Sequence, residues 1–97
     1  MPTYVVLLNY TDQGVKSIKD SPQRAVNARK AIEAAGGKMH AIYLTMGQHD
    51  LVAIMEAPSD EAFATVMLSL ASKGNVRSTT LRAFSEKEMA SIIGKIP

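Results

Sequence analysis

Met46-Gly47-Gln48-His49-Asp50 joins two apolar, alternating runs, His40–Met46 (HAIYLTM) and His49–Ala57 (HDLVAIMEA), through a Gly47-Gln48 step. A short glycine-containing step between two such runs signals a β-hairpin, because the tight turns that match strand twist need positive φ. With a two-residue turn, Met46 faces His49, Thr45 faces Asp50, Tyr43 faces Val52, Ile42 faces Ala53 and His40 faces Met55. Side chains alternate across a strand, so this register sorts them into two faces. Ile42, Leu44, Met46, Leu51, Ala53 and Met55 share the face suited to helix packing. Ala41, Tyr43, Thr45, Asp50, Val52 and Ile54 share the other.

The flanking segments build outward from this hairpin. Thr3–Tyr10 (TYVVLLNY) is β-branched and aromatic, with Val5 and Leu7 on one face and Tyr4, Val6 and Leu8 on the other. Apolar residues on both faces predict a central strand. Thr11-Asp12-Gln13-Gly14 reads as a turn and Val15–Lys19 as one helical turn. Asp20-Ser21-Pro22 then opens the main helix with a capping residue and proline at N1. Ala25, Ala28, Ile32 and Ala35 recur at helical spacing, and Gly36-Gly37 ends the helix. Pro58-Ser59-Asp60-Glu61 starts a second helix with the stripe Phe63, Val66, Met67, Leu70 and Ala71, closed by Lys73-Gly74-Asn75. Val76–Phe84 is a fourth strand. Ser85-Glu86-Lys87-Glu88 is a capping box, and Met89, Ile92, Ile93 and Ile96 stripe a terminal helix.

The order βαββαβ plus a tail helix predicts one α+β domain over residues 1–97, a ferredoxin-like plait with a four-stranded antiparallel sheet. Its helices cover one sheet face, so the second apolar face becomes an association surface. The expected state is a homodimer joined sheet to sheet. The alternative is that the terminal helix, Ser85–Ile96, folds back over the open face of its own chain.

A chain of 97 residues buries a modest core, about 60–70% of its unfolded surface. The apolar fraction of 46% and charged fraction of 21% fit a soluble globular protein. No apolar run approaches the roughly 20 residues of a bilayer span, and Met1-Pro2-Thr3-Tyr4 lacks a basic leader, so a cytoplasmic location is expected and no membrane partner. The absence of cysteine removes disulfides, thiolate catalysis and sulfur-ligated metals. The net charge of +2 comes from basic residues scattered from Lys16 to Lys95 and interrupted by acids. No basic stripe interleaved with aromatics forms, which argues against nucleic acid.

Few residues carry chemistry. His40 and His49 lie near opposite ends of the hairpin, with no His-x-His or Glu-x-x-His spacing, so no shared metal is expected. The tighter constellation is His49-Asp50 with Tyr43 and Thr45 across the hairpin, where a carboxylate and an imidazole are placed to move a proton. The structural alternative has Asp50 locking the hairpin while Tyr43 packs at a dimer face. Asn9 and Tyr10 end the first strand and Arg77 and Arg82 punctuate the fourth, placing polar groups at a pocket rim. Arg82 has three candidate partners: an acidic ligand, Asp50, or a carboxylate of a second subunit. The six methionines read as adaptable core filling. No phosphate-binding glycine loop or nucleophile elbow is present, and no cofactor is expected.

The stretch Thr45–Glu61 (TMGQHDLVAIMEAPSDE) resembles the GYD domain family of the dimeric α/β-barrel superfamily, and the similarity continues through Gly74-Asn75-Val76-Arg77 and Thr80–Phe84. Gly47 and Asp50 match the glycine and aspartate that name the family, while His49 stands where tyrosine is usual. The resemblance implies a ferredoxin-like fold and a dimer with its two sheets face to face. It implies no particular activity, since the wider superfamily includes monooxygenases, isomerases, haem-degrading enzymes and ligand-sensing domains. Two functions are therefore carried forward. One is a homodimeric, non-catalytic module for small-molecule binding or assembly. The other is a cofactor-independent, monooxygenase- or isomerase-like enzyme on a small apolar substrate, with His49 and Asp50 catalytic and Asn9, Tyr10, Tyr43 or Arg82 binding ligand.

Overall fold

The computed structural model describes residues 1–97. Its elements are β1 (Thr3–Tyr10), α1 (Asp12–Lys16), a 3-10 turn (Ile18–Asp20), α2 (Ser21–Ala34), β2 (Lys38–Leu44), β3 (Leu51–Glu56), α3 (Asp60–Ser72), β4 (Val76–Ala83) and α4 (Glu86–Ile93). The strands form one antiparallel sheet in the order β2-β3-β1-β4. This is the α+β ferredoxin-like plait expected from the element order, and β1 is central as its two apolar faces require.

Helix ends follow local chemistry. Thr11 Oγ1 accepts the Gly14 amide at 3.1 Å, Ser59 caps α3 through the Ala62 amide, and Ser85 and Glu88 form the reciprocal capping box of α4. The Thr11 cap converts the expected turn at Thr11–Gly14 into α1. At α2, Asp20 is already in the αR region and makes no side-chain cap bond, because the 3-10 turn feeds directly into Ser21. Gly14 is buried where the chain enters β4: a Cβ there would stand 2.1 Å from the Asn75 carbonyl oxygen, so no larger residue fits.

The hairpin register holds at its centre and changes at both ends. Tyr43 pairs with Val52 and Ile42 with Ala53, as expected. A bulge at His40 shifts the start, so Met39, not His40, faces Met55. The tight two-residue turn is replaced by a longer loop, since the strands end at Leu44 and Leu51 and leave Thr45 to Asp50 outside them. Thr45 and Asp50 still meet, through the Thr45 amide and the Asp50 carbonyl at 2.8 Å. The Asp50 amide, however, is claimed by the Leu8 carbonyl of β1 at 2.9 Å, which draws the strand toward β1 before the turn closes. Gly47 takes φ +123° within the loop, a region L side chains rarely adopt.

Period two divides the sheet as predicted. Tyr4, Val6 and Leu8 of β1 and Ala53 and Met55 of β3 are buried under α2 and α3, which add Ile32, Phe63, Val66 and Met67. Leu44 and Met46 depart from this pattern: both are exposed, Leu44 at the last position of β2 and Met46 in the loop beyond it. Ala71 is also exposed, so the α3 stripe ends at Leu70. On the opposite face Val5, Leu7, Val52 and Ile54 are only half-buried, while Tyr43 and Leu81 are 60% and 50% exposed. The tail does not cover them. Met89, Ile92, Ile93 and Ile96 are all exposed in the tail, which extends a chain measuring 52 × 31 × 18 Å.

Val6 and Ile32 are the largest side chains with no exposed surface. Truncating such a residue loses its transfer free energy and leaves a cavity, so Ile32→Ala is expected to lower the unfolding free energy by about 2–5 kcal/mol, measured by urea titration at fixed protein concentration.

Candidate functional site

Asp50 is the junction of β1 with the hairpin. Its carboxylate Oδ2 accepts the Tyr10 amide at 2.9 Å, its amide donates to Leu8 and to Asn9 Oδ1 at 3.2 Å, and its carbonyl accepts from Thr45. Thr45 Oγ1 meanwhile donates to the His49 carbonyl at 2.5 Å. Side chain and backbone of Asp50 are thus spent on holding the last residues of β1 against the loop. Neither the Tyr43 nor the Thr45 hydroxyl reaches its carboxylate, so the four-residue constellation expected across the hairpin is not assembled. Asn9, Tyr10 and Asp50 come together instead.

The other residues singled out from the sequence are dispersed. Tyr43 lies on the open sheet face. His40 pairs with Glu56, Nε2 to Oε2 at 3.3 Å, at the end of the hairpin remote from His49. Arg82 pairs with Tyr4 in the sheet register, whereas Asp50 adjoins Leu8 and Tyr10, so the two stand at opposite ends of β1. Of the three candidate partners of Arg82, Asp50 is therefore ruled out by strand register.

At the Tyr4 end lies a cluster that sequence reading did not single out. The Tyr4 and Phe63 rings stack with centroids 3.9 Å apart, and Tyr4 Oη donates to Asp60 Oδ1 at 2.5 Å. The Arg82 guanidinium sits 5.9 Å from the Tyr4 ring centroid and 4.5 Å from that of Phe84. Burial, and then the hydrogen bond to the Asp60 carboxylate, push the Tyr4 hydroxyl up to about 12. Tyr4 is consequently a neutral donor near physiological pH and ties α3 to β1. Inward alternation of Tyr4 opposite the acidic first turn of α3 was the available signal.

A cleft opens at the other end, between the sheet and α2. A cavity of about 140 Å³ lies among Leu8, Tyr10, Ala25, Ala28, Ile42 and Leu51, and an adjoining groove reaches Ile18, Pro22 and Leu44. It exists because the α2 stripe is alanine at positions 25 and 28, where a larger side chain would fill the space. Tyr10 Oη and Ser21 Oγ meet at its wall at 2.6 Å. Of the candidate site residues only Tyr10 lines this cleft; Asn9, Tyr43, His49, Asp50 and Arg82 do not.

The plait with helices on one face and a cleft beneath α2 defines a ferredoxin-like α+β domain. Within that class the chain belongs to the GYD domain family, whose model matches residues 4–93. It is similar to the glutamine synthetase and cystathionine beta-lyase binding protein of Thermus thermophilus, 36% identical over 84 residues that make up 86% of this chain and 88% of that protein. A crystal structure of a Thermus thermophilus protein superposes with a TM-score of 0.56 at 25% identity, covering 88% of this chain and 95% of the other. The leucine response regulatory protein of Mycobacterium tuberculosis shares the fold, with a TM-score of 0.65 at 18% identity over 87% of this chain. The chain spans about half (51%) of that regulator's length.

Two outcomes test these assignments. Because the fold favours neutral Tyr4, its contribution to stability is complete below pH 10.0 and is lost as pH rises toward about 12. Ultraviolet titration of the phenols should therefore show a late phase that Tyr4→Phe removes. Asp50→Ala, which deprives the Tyr10 amide of its acceptor, is expected to cost about 1–3 kcal/mol in denaturant unfolding.

Proposed function

We propose that the chain is a homodimeric, non-catalytic binding and assembly module, with two sheets packed face to face and an enzyme as docking partner. The observation that carries this reading is the apolar sheet face formed by Val5, Leu7, Val52, Ile54, Tyr43 and Leu81, which neither the two packed helices nor α4 covers. A two-fold pairing of this face makes it self-complementary and doubles the effective core of a small domain. The partner is suggested by the Thermus relative, whose name states that it binds glutamine synthetase and cystathionine beta-lyase. Membership of one family at 36% identity supports the same kind of partner here, an enzyme of amino-acid metabolism in the cytoplasm.

The enzyme reading, with His49 and Asp50 moving a proton, has less support. Both residues lie outside the cleft, and the Asp50 carboxylate and backbone are engaged with Tyr10, Asn9, Leu8 and Thr45. We assign them to the loop junction.

Light scattering coupled to gel filtration should give twice the chain mass for the wild type. Val52→Glu on the inner strand β3 and Leu81→Glu on the edge strand β4 place charge on the apolar face and should each shift the protein to a monomer with its circular-dichroism spectrum retained. A wild-type monomer would overturn the reading. Biolayer interferometry against immobilised glutamine synthetase tests the partner, with retention by the wild-type dimer expected.

A further inference from the structure

The cleft beneath α2 has a charge character unlike the open sheet face. Among the 13 residues lining its cavity are two cations, Arg24 and Lys73, and no acid. Arg24 reaches from α2 back to the α1 region, where Nη1 donates to the Ser17 carbonyl and Oγ at 3.2 and 3.0 Å and Nη2 donates to the Gly14 carbonyl at 3.2 Å. Every one of these acceptors is neutral. The only contact between a basic side chain and a carboxylate within 4.0 Å is that of His40 with Glu56, so neither Arg24 nor Lys73 has a carboxylate to balance it. The Tyr10 and Ser21 hydroxyls supply a third feature: one hydrogen bond joins them at 2.6 Å, which uses one of their two protons and leaves the other to be donated. Around these polar groups the wall is apolar, formed by Leu8, Ala25, Ala28, Ile42 and Leu51.

From this arrangement we propose that the cleft is a binding site for a small monocarboxylate with a flat or short apolar body, an aromatic acid of one ring being the best fit. The cavity of about 140 Å³ is comparable to the apolar cavity of about 150 Å³ that accepts benzene. The ring lies between the sheet and the alanine face of α2. The carboxylate lies toward Arg24 and Lys73 and accepts the spare hydroxyl proton of the Tyr10–Ser21 pair. A neutral alcohol of the same shape keeps the apolar contacts and forfeits the charge, and an amine meets two like charges. This site deepens the binding-module reading but is separable from it, since the cleft and the sheet face are on opposite sides of the sheet.

The test is calorimetric titration of the full chain at neutral pH and low salt with benzoate, benzyl alcohol and benzylamine as probes. Benzoate is expected to bind about tenfold more tightly than benzyl alcohol, with no heat from benzylamine. Lys73→Gln should weaken benzoate several-fold and leave benzyl alcohol unchanged. Ala28→Leu, which fills the cavity, should abolish binding of both. Amide chemical-shift mapping of the wild type provides a readout that needs no variant to fold, and benzoate should perturb Tyr10, Ala28 and Asn75. Equal affinity for benzoate and benzylamine, no binding of benzoate, or shifts confined to residues outside the cleft would each overturn the site. A dimer that ignores benzoate would remove this proposal alone, whereas a monomer that binds it would remove the dimer and leave the site standing.

Discussion

Burial of β1 between β3 and β4, with helices against only one of its faces, is the constraint on which the rest of the structure depends. The strand alternates apolar residues on both sides, and each side must find cover. Val6 and its neighbours obtain it from α2 and α3 within the chain. Val5 and Leu7 do not, and the same is true of Val52, Ile54 and Leu81 beside them. No other element of the chain covers this second face. The exposed apolar stripe of α4 adds to the same imbalance.

The two ends of β1 are finished in different ways, one closed by packing and the other left open. At Tyr4 the space between sheet and helix is filled by stacked rings and sealed by the hydroxyl on Asp60. At Tyr10 the helix presents alanines, the filling is incomplete and a cleft remains. Asp50 stabilises this open end by holding the Tyr10 amide, while Thr11 and Gln13 tie the adjoining turn to the end of α3 through Gly74, Lys73 and Asn75. The cleft is therefore framed by a hydrogen-bonded loop network, which preorganises its rim. An aspartate used in this way is part of the frame, whereas Tyr10, Ser21, Arg24 and Lys73 are among the residues that line the cavity.

Most elements were legible because their signals are local. The strand Thr3–Tyr10 matches residue for residue, and Ser59 and Ser85 cap the helices predicted for them. Alternation at Tyr43–Val52 and Ile42–Ala53 is enough to assign the sheet faces. The errors fall where a distant group intervenes. Leu8, far away in sequence, captures the Asp50 amide and opens the expected tight turn, and the bulge at His40 moves that side chain to Glu56.

The sequence by itself determined the order of elements, the split of the sheet into two apolar faces and the family, because periodicity, caps and turn residues act over a few positions. Only the tertiary structure decided which polar residues meet. It set Arg82 and Asp50 at opposite ends of β1, joined Tyr4 to Asp60, and placed Tyr10, Ser21, Arg24 and Lys73 around one cavity. The physical reason is that a cavity is what packing leaves unfilled. Its position depends on how far two alanines on α2 stand from the sheet, a distance that the helical period does not encode.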